Sequence, residues 1–186
     1  IKAAFDAGQS IFGENYVQEA VEKKELLNSL DIEWHFIGPI QSNKCKLISE
    51  HFSWVQTVDR IKIANKLNQN RDTKNPLNIC IQINISDEAS KSGINVSEVF
   101  DFAELVHNLK SLNLRGIMAI PSKESERKTL LSQYKTMREI YEKLKIKYNS
   151  IDTLSMGMSN DYLLAIQNGS NLVRIGTKIF GKRKIQ

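Results

Sequence analysis

Short apolar stretches alternate with helical patterns along the whole chain. Each stretch is rich in apolar and β-branched residues and has the length of a strand. Between the stretches, apolar residues recur at spacings of three and four, which is typical of helices packed on a core. Strict alternation of this kind predicts a parallel sheet with helices outside it. The predicted strands are 10–16, 33–40, 54–59, 78–85, 114–120, 153–159 and 171–181.

Three of the predicted helices are marked by apolar periodicity or by a capping pattern in the sequence. The stretch 124–147 carries a stripe of apolar residues that faces the core. Asn95 followed by Glu98 resembles a capping box that opens a helix over 96–111. Another helix follows Asp59. The apolar positions of the helix over 124–147 are Leu130, Tyr134, Met137, Tyr141 and Leu144. Those of the helix after Asp59 are Ile63, Ala64 and Leu67.

The chain opens on a helical pattern, "IKAAFDAG", with Gly8 as its stop. This pattern has no N-cap residue before it. We therefore expect that the chain begins inside a helix and lacks the strand and most of the helix that would precede it.

Two folds satisfy the alternation, an open doubly wound sheet and a closed (β/α)8 barrel of the TIM type. A dinucleotide-binding sheet would carry G-x-G-x-x-G after its first strand, and none is present. In a barrel the chemistry lies at the carboxyl ends of the strands. Those ends are polar or rich in Gly and Pro: Glu14, Asn15, Gly38, Pro39, Asp59, Asn84, Ser86, Pro121, Ser159, Gly176 and Thr177. We predict one barrel domain over 1–186 whose first strand is missing, and therefore an unstable or oligomeric unit.

Composition narrows the functional classes. The chain has 186 residues, 41% hydrophobic and 25% charged, which is typical of a globular domain. The net charge is +5, but the lysines alternate with acids as on solvated helix faces, so we predict no nucleic-acid partner. No apolar run is long enough to cross a membrane and no signal peptide is recognisable. Cys45 and Cys80 lack metal or redox spacing, so we predict a reduced, cytoplasmic protein without a metal site.

The stretch "SMGMSND" (155–161) has the features of an anion site at a strand-to-helix junction. Gly157 allows close backbone approach, and Ser159 is a suitable N-cap with Asn160 and Asp161 in the first helical turn. Free N–H groups at a helix start attract anions. In that case Asp161 must point away from the anion. The alternative is an ordinary loop with a Ser cap.

The stretch "RIGT" (174–177) lies on the next strand. Loops after the last two strands of a barrel often form a phosphate site. Gly176 and Thr177 could therefore offer N–H and hydroxyl groups to the same anion. Arg174 would contact the ligand body or form a structural ion pair, since a buried Arg needs a partner.

Six motifs together resemble the pyridoxal phosphate homeostasis protein family, a single-domain relative of the alanine racemase barrel. They are "FGENYVQEA", "WHFIGPIQSNK", "INISDEASKSGI", "GIMAIP", "LSMGMSNDYLLAI" and "VRIGTKIFGKR". The resemblance runs from residue 1 to about residue 183.

This resemblance implies that pyridoxal 5'-phosphate (PLP) binds at the carboxyl ends of the strands. Arg174 matches the position that faces the pyridine nitrogen in the related racemase, and Asn15 matches a position at the barrel mouth. The phosphate would be held by the segments matching Gly157, Met158, Ser159, Gly176 and Thr177.

The same resemblance places the Schiff-base lysine on the missing first strand, where this sequence has no counterpart. Lys44 and Lys91 lie near strand ends but are more simply solvated loop lysines. His35 is either a mouth residue or a packed, hydrogen-bonded histidine. Trp34 and Trp54 are expected in the core.

The implied function is non-catalytic, namely a PLP carrier in vitamin B6 homeostasis that serves PLP-dependent apoenzymes. An always-charged Arg facing the pyridine nitrogen keeps the ring unprotonated and weakens it as an electron sink. The alternatives are a PLP-dependent racemase or lyase of the same barrel type, and a degenerate fragment that binds nothing.

Overall fold

Parallel strands form the frame of the protein in the computed structural model, which describes residues 1–88, 91–122 and 126–181. Within these residues seven strands form one sheet in chain order, and every neighbouring pair is parallel. All of their carboxyl ends therefore lie at one end of the sheet. The strands are β1 (Ile11–Glu14), β2 (Glu33–Phe36), β3 (Trp54–Val58), β4 (Leu77–Ile83), β5 (Leu112–Ala119), β6 (Thr153–Met158) and β7 (Leu172–Arg174).

The sheet curls into a nearly closed barrel of the TIM type, as predicted. In a flat sheet, β3 and β6 would lie about 14 Å apart, three strand spacings. Instead, the hydroxyl of Ser155 on β6 donates directly to the side chain of Gln56 on β3, with an O···O distance of 2.7 Å. This bond crosses the inside of the barrel, so the interior is narrow enough for side chains to fill.

Helices follow the strands and cover the outside of the barrel. They are α1 (Lys2–Asp6), α2 (Val17–Leu26), α3 (Cys45–His51), α4 (Ile61–Gln69), α5 (Val99–His107), α6 (Arg127–Lys147), α7 (Tyr162–Gln167) and α8 (Thr177–Phe180). Short 3-10 turns at Ser42–Lys44 and Val96–Glu98 lead into α3 and α5. Within the described ranges, none of these helices is both long and apolar enough to span a bilayer.

The helical predictions are mostly confirmed. The predicted stripe of α6 is buried from Tyr134 onward, and Leu130 is half-buried. The capping box of Asn95 and Glu98 is present in full, although α5 ends at His107 rather than at residue 111. Residues 124 and 125 of the predicted long helix lie outside the described ranges.

The last predicted strand is wrong in its extent. Only Leu172–Arg174 is a strand, and Thr177–Phe180 is a helical turn. The apolar run that suggested a strand places Ile179 and Phe180 at the surface, with 56% and 55% of each residue exposed. Apolar content without alternation therefore misled the prediction.

Two buried clusters hold the fold together. The larger one lies between the sheet and the helices and contains Trp34. The smaller one consists of Trp54, Cys80 and Met118, from three neighbouring strands. The guanidinium of Arg115 lies 4.8 Å from the ring centroid of Trp54. Both tryptophans are thus core residues, as predicted.

The pairing of β5 with β6 depends on a glycine. A Cβ atom on Gly116 would lie 1.8 Å from the carbonyl oxygen of Thr153, a distance that no side chain can occupy. The main chains of the two strands therefore approach each other closely only because position 116 has no side chain.

We expect Gly116→Ala to lower the free energy of unfolding by about 2 kcal/mol or more, because overpacking at backbone atoms cannot be relieved by a rotamer change. Urea denaturation followed by circular dichroism measures this change. Gly176→Ala is the matched control, since a Cβ there has nothing within 4 Å; a stability loss of similar size in both variants would contradict this account.

Candidate functional site

The two segments predicted to hold an anion lie side by side. Met158 and Arg174 pair across β6 and β7, which brings the ends of these strands together. The main-chain N–H of Lys178 donates to the hydroxyl of Ser159, at an N···O distance of 3.5 Å. The segment 157–159 thus meets the start of α8, as the spacing of the two motifs predicted.

Gly157 has a structural role in the turn after β6. Its φ of +95° lies in the left-handed region, and a Cβ there would lie 2.5 Å from the Cβ of Ala165 on α7. The missing side chain therefore makes room for α7. This close packing fixes the direction in which the chain leaves β6.

The turn after Gly157 is held by Asp161. One carboxylate oxygen accepts the main-chain N–H of Met158 at 2.7 Å, and the other accepts the hydroxyl of Tyr134 at 2.5 Å. The buried position of Tyr134 and this bond raise the pKa of its hydroxyl, so it stays protonated and remains a donor. Both oxygens of Asp161 are therefore engaged within the protein, as the prediction for an anion site required.

The predicted N-cap is wrong. Helix α7 begins at Tyr162 with Asp161 as its N-cap residue, and Ser159 lies in the preceding turn. The bond from Asp161 back to Met158 forms this turn and delays the helix. Ser159 is instead buried next to α8, where its hydroxyl accepts the N–H of Lys178.

Main-chain N–H groups without acceptors lie where the segment 157–159 meets the start of α8. In the described part of the chain, the N–H groups of Ser159, Gly176 and Thr177 have no acceptor. Gly176 is the N-cap of α8 and Thr177 its first residue. Adjacent N–H groups without acceptors are the arrangement that binds oxyanions such as phosphate. The N–H of Met158 is not among them, because Asp161 already accepts it.

Arg174 lies next to these donors at the end of β7. Its Nη1 donates to the hydroxyl oxygen of Ser155 at 2.5 Å, and its Nη2 donates to the carbonyl oxygen of Ala119 at 2.9 Å. Considering only the described residues, no carboxylate forms an ion pair with it. Its partners are neutral acceptors, so the structural ion pair that the sequence left open is absent from these residues.

The charge of Arg174 persists despite its surroundings. Burial lowers the pKa of its guanidinium to about 10, against smaller opposing effects from Cys80 and Asp161. The group is therefore still charged at neutral pH. A half-buried cation without an ion-pair partner favours an electron-rich ligand atom beside it.

A line of hydrogen bonds leads from Arg174 across the barrel interior. Ser155 donates to Oε1 of Gln56 at 2.7 Å, and Nε2 of Gln56 lies 2.8 Å from Nδ1 of His35. The other ring nitrogen of His35 lies 2.9 Å from a carboxylate oxygen of Glu33. The imidazole also stacks on Trp54, with ring centroids 5.0 Å apart. His35 is thus a packed, hydrogen-bonded histidine, one of the two roles foreseen for it.

The sequence prediction missed Gln56 and Ser155. Both are polar residues at inward positions of otherwise apolar strands, in "WVQTVD" and "TLSMGMS". A polar residue that is buried in a strand needs a partner, and this could have identified them as interior groups. Their partners could not be identified, because the bond between them joins residues 99 positions apart.

The other predicted residues lie away from this cluster. Asn15 is exposed just after β1, at the same end of the sheet but on the opposite edge strand. Its carbonyl oxygen would be 2.0 Å from a Cβ on Gly38, so its main chain is closely packed. Lys91 pairs with Glu88 at 3.0 Å, and Lys44 ends the 3-10 turn before α3. No group of His, Cys, Asp and Glu with metal-binding geometry occurs among the described residues.

The comparison with family models defines the class of this barrel. Residues 1–184 match the model for alanine racemase, N-terminal domain. Alanine racemase from E. faecalis superposes with a TM-score of 0.77 over 98% of this chain and 48% of its own, at 17% identity. That identity supports the shared fold alone.

Curated relatives identify the family within this class. The pyridoxal phosphate homeostasis protein of Pasteurella multocida is 54% identical over 98% of this chain and 81% of its own length. The protein of the same name from Escherichia coli is 52% identical over 98% of this chain and 80% of its own. The chain therefore belongs to the family of pyridoxal phosphate homeostasis proteins.

A solved structure supports this assignment. PipY of Synechococcus elongatus, solved without PLP, has a TM-score of 0.90 and 31% identity over 97% of this chain and 86% of its own. The same protein solved with PLP bound has a TM-score of 0.87, at 30% identity, over 97% and 85% of the two chains. The predicted family resemblance is confirmed.

We expect acid to weaken the fold through His35. Burial lowers the pKa of its imidazole below the ordinary value of 6.5, although the bond to Glu33 opposes the shift. The unfolded chain then takes up a proton at a higher pH than the folded chain does. The free energy of unfolding should therefore fall as the pH is lowered below about 6.5.

Urea denaturation at pH 7.5 and pH 5.5 tests this dependence. His35→Asn should reduce the difference between the two pH values, because the titrating group is gone. His107→Asn, which removes an exposed imidazole, is the control and should leave the difference intact. An unchanged difference in His35→Asn would show that His35 does not cause it.

Proposed function

We propose that this chain binds PLP at the carboxyl end of the barrel and acts as a carrier or buffer of the cofactor, without a catalytic reaction of its own. The main observation is that unused main-chain donors and a half-buried Arg without an ion pair among the described residues lie side by side at the ends of β6 and β7. PLP has a phosphate at one end and a neutral acceptor, the pyridine nitrogen, in its ring. The two features fit the two ends of this one ligand.

We assign the phosphate to the segment Gly157, Met158 and Ser159 together with Gly176 and Thr177. The N–H groups of Ser159, Gly176 and Thr177 have no acceptor in the described part of the chain, and the hydroxyl of Thr177 is exposed beside them. Gly157 and Met158 contribute indirectly, because they shape the turn that presents Ser159. Asp161 does not repel the phosphate, since its carboxylate is turned to Tyr134 and Met158.

We assign the pyridine nitrogen to Arg174. Two of its N–H groups are held by Ser155 and Ala119, and the others have no acceptor among the described residues. A guanidinium has no acceptor atom, and at neutral pH it does not give up a proton. A ring nitrogen beside it therefore accepts a hydrogen bond and stays unprotonated. When bound, PLP supplies an electron sink whose strength depends on protonation of that nitrogen. Arg174 therefore weakens catalysis and suits storage.

Asn15 is assigned to the rim of the same site, on the strand at the opposite edge of the sheet. Lys91 lies 3.0 Å from a carboxylate oxygen of Glu88, so we assign no Schiff base to it. We also assign the protein to the cytoplasm, where its two buried, unpaired cysteines would remain reduced. Names of relatives support the role in homeostasis.

Loss of the two hydroxyls should weaken PLP retention. Ser159→Ala and Thr177→Ala each remove a group beside the proposed phosphate, and hydrogen bonds to charged groups contribute about 1.5–3 kcal/mol. We expect about a tenfold or greater rise in the dissociation constant for each variant, measured by titration of ligand-free protein with PLP.

Thr73→Ala is the control for this titration. Thr73 is exposed in the loop that leads into β4, at the amino end of the strands. It should bind PLP like the unmodified chain. If Ser159→Ala and Thr177→Ala match this control, the phosphate assignment is wrong.

The carrier role has a separate readout. PLP-loaded chain, freed of excess ligand by desalting, should restore activity to a PLP-dependent apoenzyme, because a carrier must release its PLP to the enzymes that it serves. The same loaded chain should convert L-alanine to D-alanine no faster than free PLP does. Turnover above that level would favour a racemase or lyase function instead.

A further inference from the structure

Three buried residues and the partly exposed Glu33 form a line that ends at Arg174, on strands that are distant in the sequence. Glu33 and His35 belong to β2, Gln56 to β3 and Ser155 to β6. His35, Gln56 and Ser155 are 2%, 2% and 0% exposed, so water cannot replace a lost partner at these positions. Each contact in the line is between 2.5 and 2.9 Å long.

The chemistry of the two ends fixes the direction of every bond. A guanidinium only donates, so the oxygen of Ser155 must accept from Arg174. Ser155 has one hydroxyl proton, which it donates in a hydrogen bond to Oε1 of Gln56.

The same reasoning continues along the line to its acidic end. The amide nitrogen of Gln56 then donates to Nδ1 of His35, which must carry a lone pair. The proton of the neutral imidazole therefore lies on Nε2 and is donated to the carboxylate of Glu33, which only accepts.

We propose that Glu33, His35, Gln56 and Ser155 form a positioning relay that holds the guanidinium of Arg174 in one orientation toward the ligand. These four are positioning residues, since none of them is placed against PLP. The inference rests on the proposed function only for the identity of that ligand. The orientation itself is a property of the ligand-free chain and can be measured there.

The relay acts through the amide of Gln56. If His35 offers no acceptor, the amide nitrogen of Gln56 is left without a partner and gains by turning toward Ser155. Ser155 would then be offered N–H groups from both Gln56 and Arg174. The hydroxyl oxygen of Ser155 has lone pairs for both donors, but its own proton would lose Oε1 of Gln56 as acceptor. The hydroxyl, and the bond that it accepts from Arg174, would then no longer be fixed in one orientation.

The first test needs no substitution. Nitrogen-15 spectra of the imidazole of His35 at pH 7.5 should show a protonated Nε2 and an unprotonated Nδ1. The opposite tautomer would overturn the relay, because Nδ1–H would face the N–H group of Gln56.

The second test compares two variants of His35 in the ligand-free chain. In His35→Asn the amide oxygen can occupy the place of Nδ1 and accept from Gln56, whereas His35→Leu offers no acceptor. Both variants lose the imidazole that stacks on Trp54, so the pair isolates the hydrogen bond. Slow rotation of the Arg174 guanidinium, seen as separate Nη signals, should persist in His35→Asn and be lost in His35→Leu.

Binding of PLP provides the functional readout. We expect about a tenfold rise in the dissociation constant for His35→Leu and less than about a threefold rise for His35→Asn, since one neutral hydrogen bond contributes about 1 kcal/mol. Equal guanidinium rotation in the two variants, whether slow or fast, would overturn the relay.

Two further outcomes are distinguishable from these. Failure of the unmodified chain to bind PLP would overturn the proposed function and leave the spectroscopic test of the relay intact. If His35→Leu does not fold, Gln56→Leu replaces it, because it removes the same link and leaves His35 on Trp54. Slow rotation of Arg174 in folded Gln56→Leu would then contradict the relay.

Discussion

The curvature of the sheet determines most of what this protein can do. Seven parallel strands close far enough for Ser155 on β6 to bond directly with Gln56 on β3. Closure brings a polar line into an otherwise apolar interior and gives each member a partner, which burial demands. The parallel pairing of β6 with β7 places the ends of these strands next to each other, where Arg174 and the free N–H groups lie.

The turn at the end of β6 shows how a binding surface is built from residues that need not touch a ligand. Gly157 admits Ala165 of α7 at close range, and Asp161 uses both oxygens on the protein itself. The carboxylate of Asp161 therefore supports the turn and is directed away from the place proposed for the anion. Ser159 is left facing α8, beside the N-cap of that helix.

Local patterns predicted the parts of this structure that depend on local interactions. Strand positions, the capping box at Asn95 and the buried face of α6 follow from periodicity and side-chain chemistry. The extent of the last strand was wrong because "TKIF" contains a β-branched Thr and two apolar residues but no alternation of apolar and polar positions. The start of α7 was wrong because the carboxylate of Asp161 turns back to Met158 and Tyr134, and the contact with Tyr134 joins residues too far apart for a local pattern to show.

The residues of the candidate site likewise fall into those that local patterns predict and those that depend on distant contacts. The segments at 157–159 and 176–177 were predictable, since each is a recognisable motif at a strand end. The interior line was not, because Glu33, Gln56 and Ser155 come from separate motifs and are joined only by barrel closure. A pattern along the chain reports which residues are polar and buried, but only the fold determines which of them meet.

The unpaired charge of Arg174 has a thermodynamic consequence. Removing a cation partly from water without an ion-pair partner costs free energy, and a ligand that offers an acceptor and a nearby anion recovers part of that cost. Ligand binding and folding are then linked, and the folded population rises with ligand concentration. For the proposed PLP carrier, the folded fraction would therefore be highest when PLP is plentiful. The amount of folded protein in the cell would then follow the concentration of PLP.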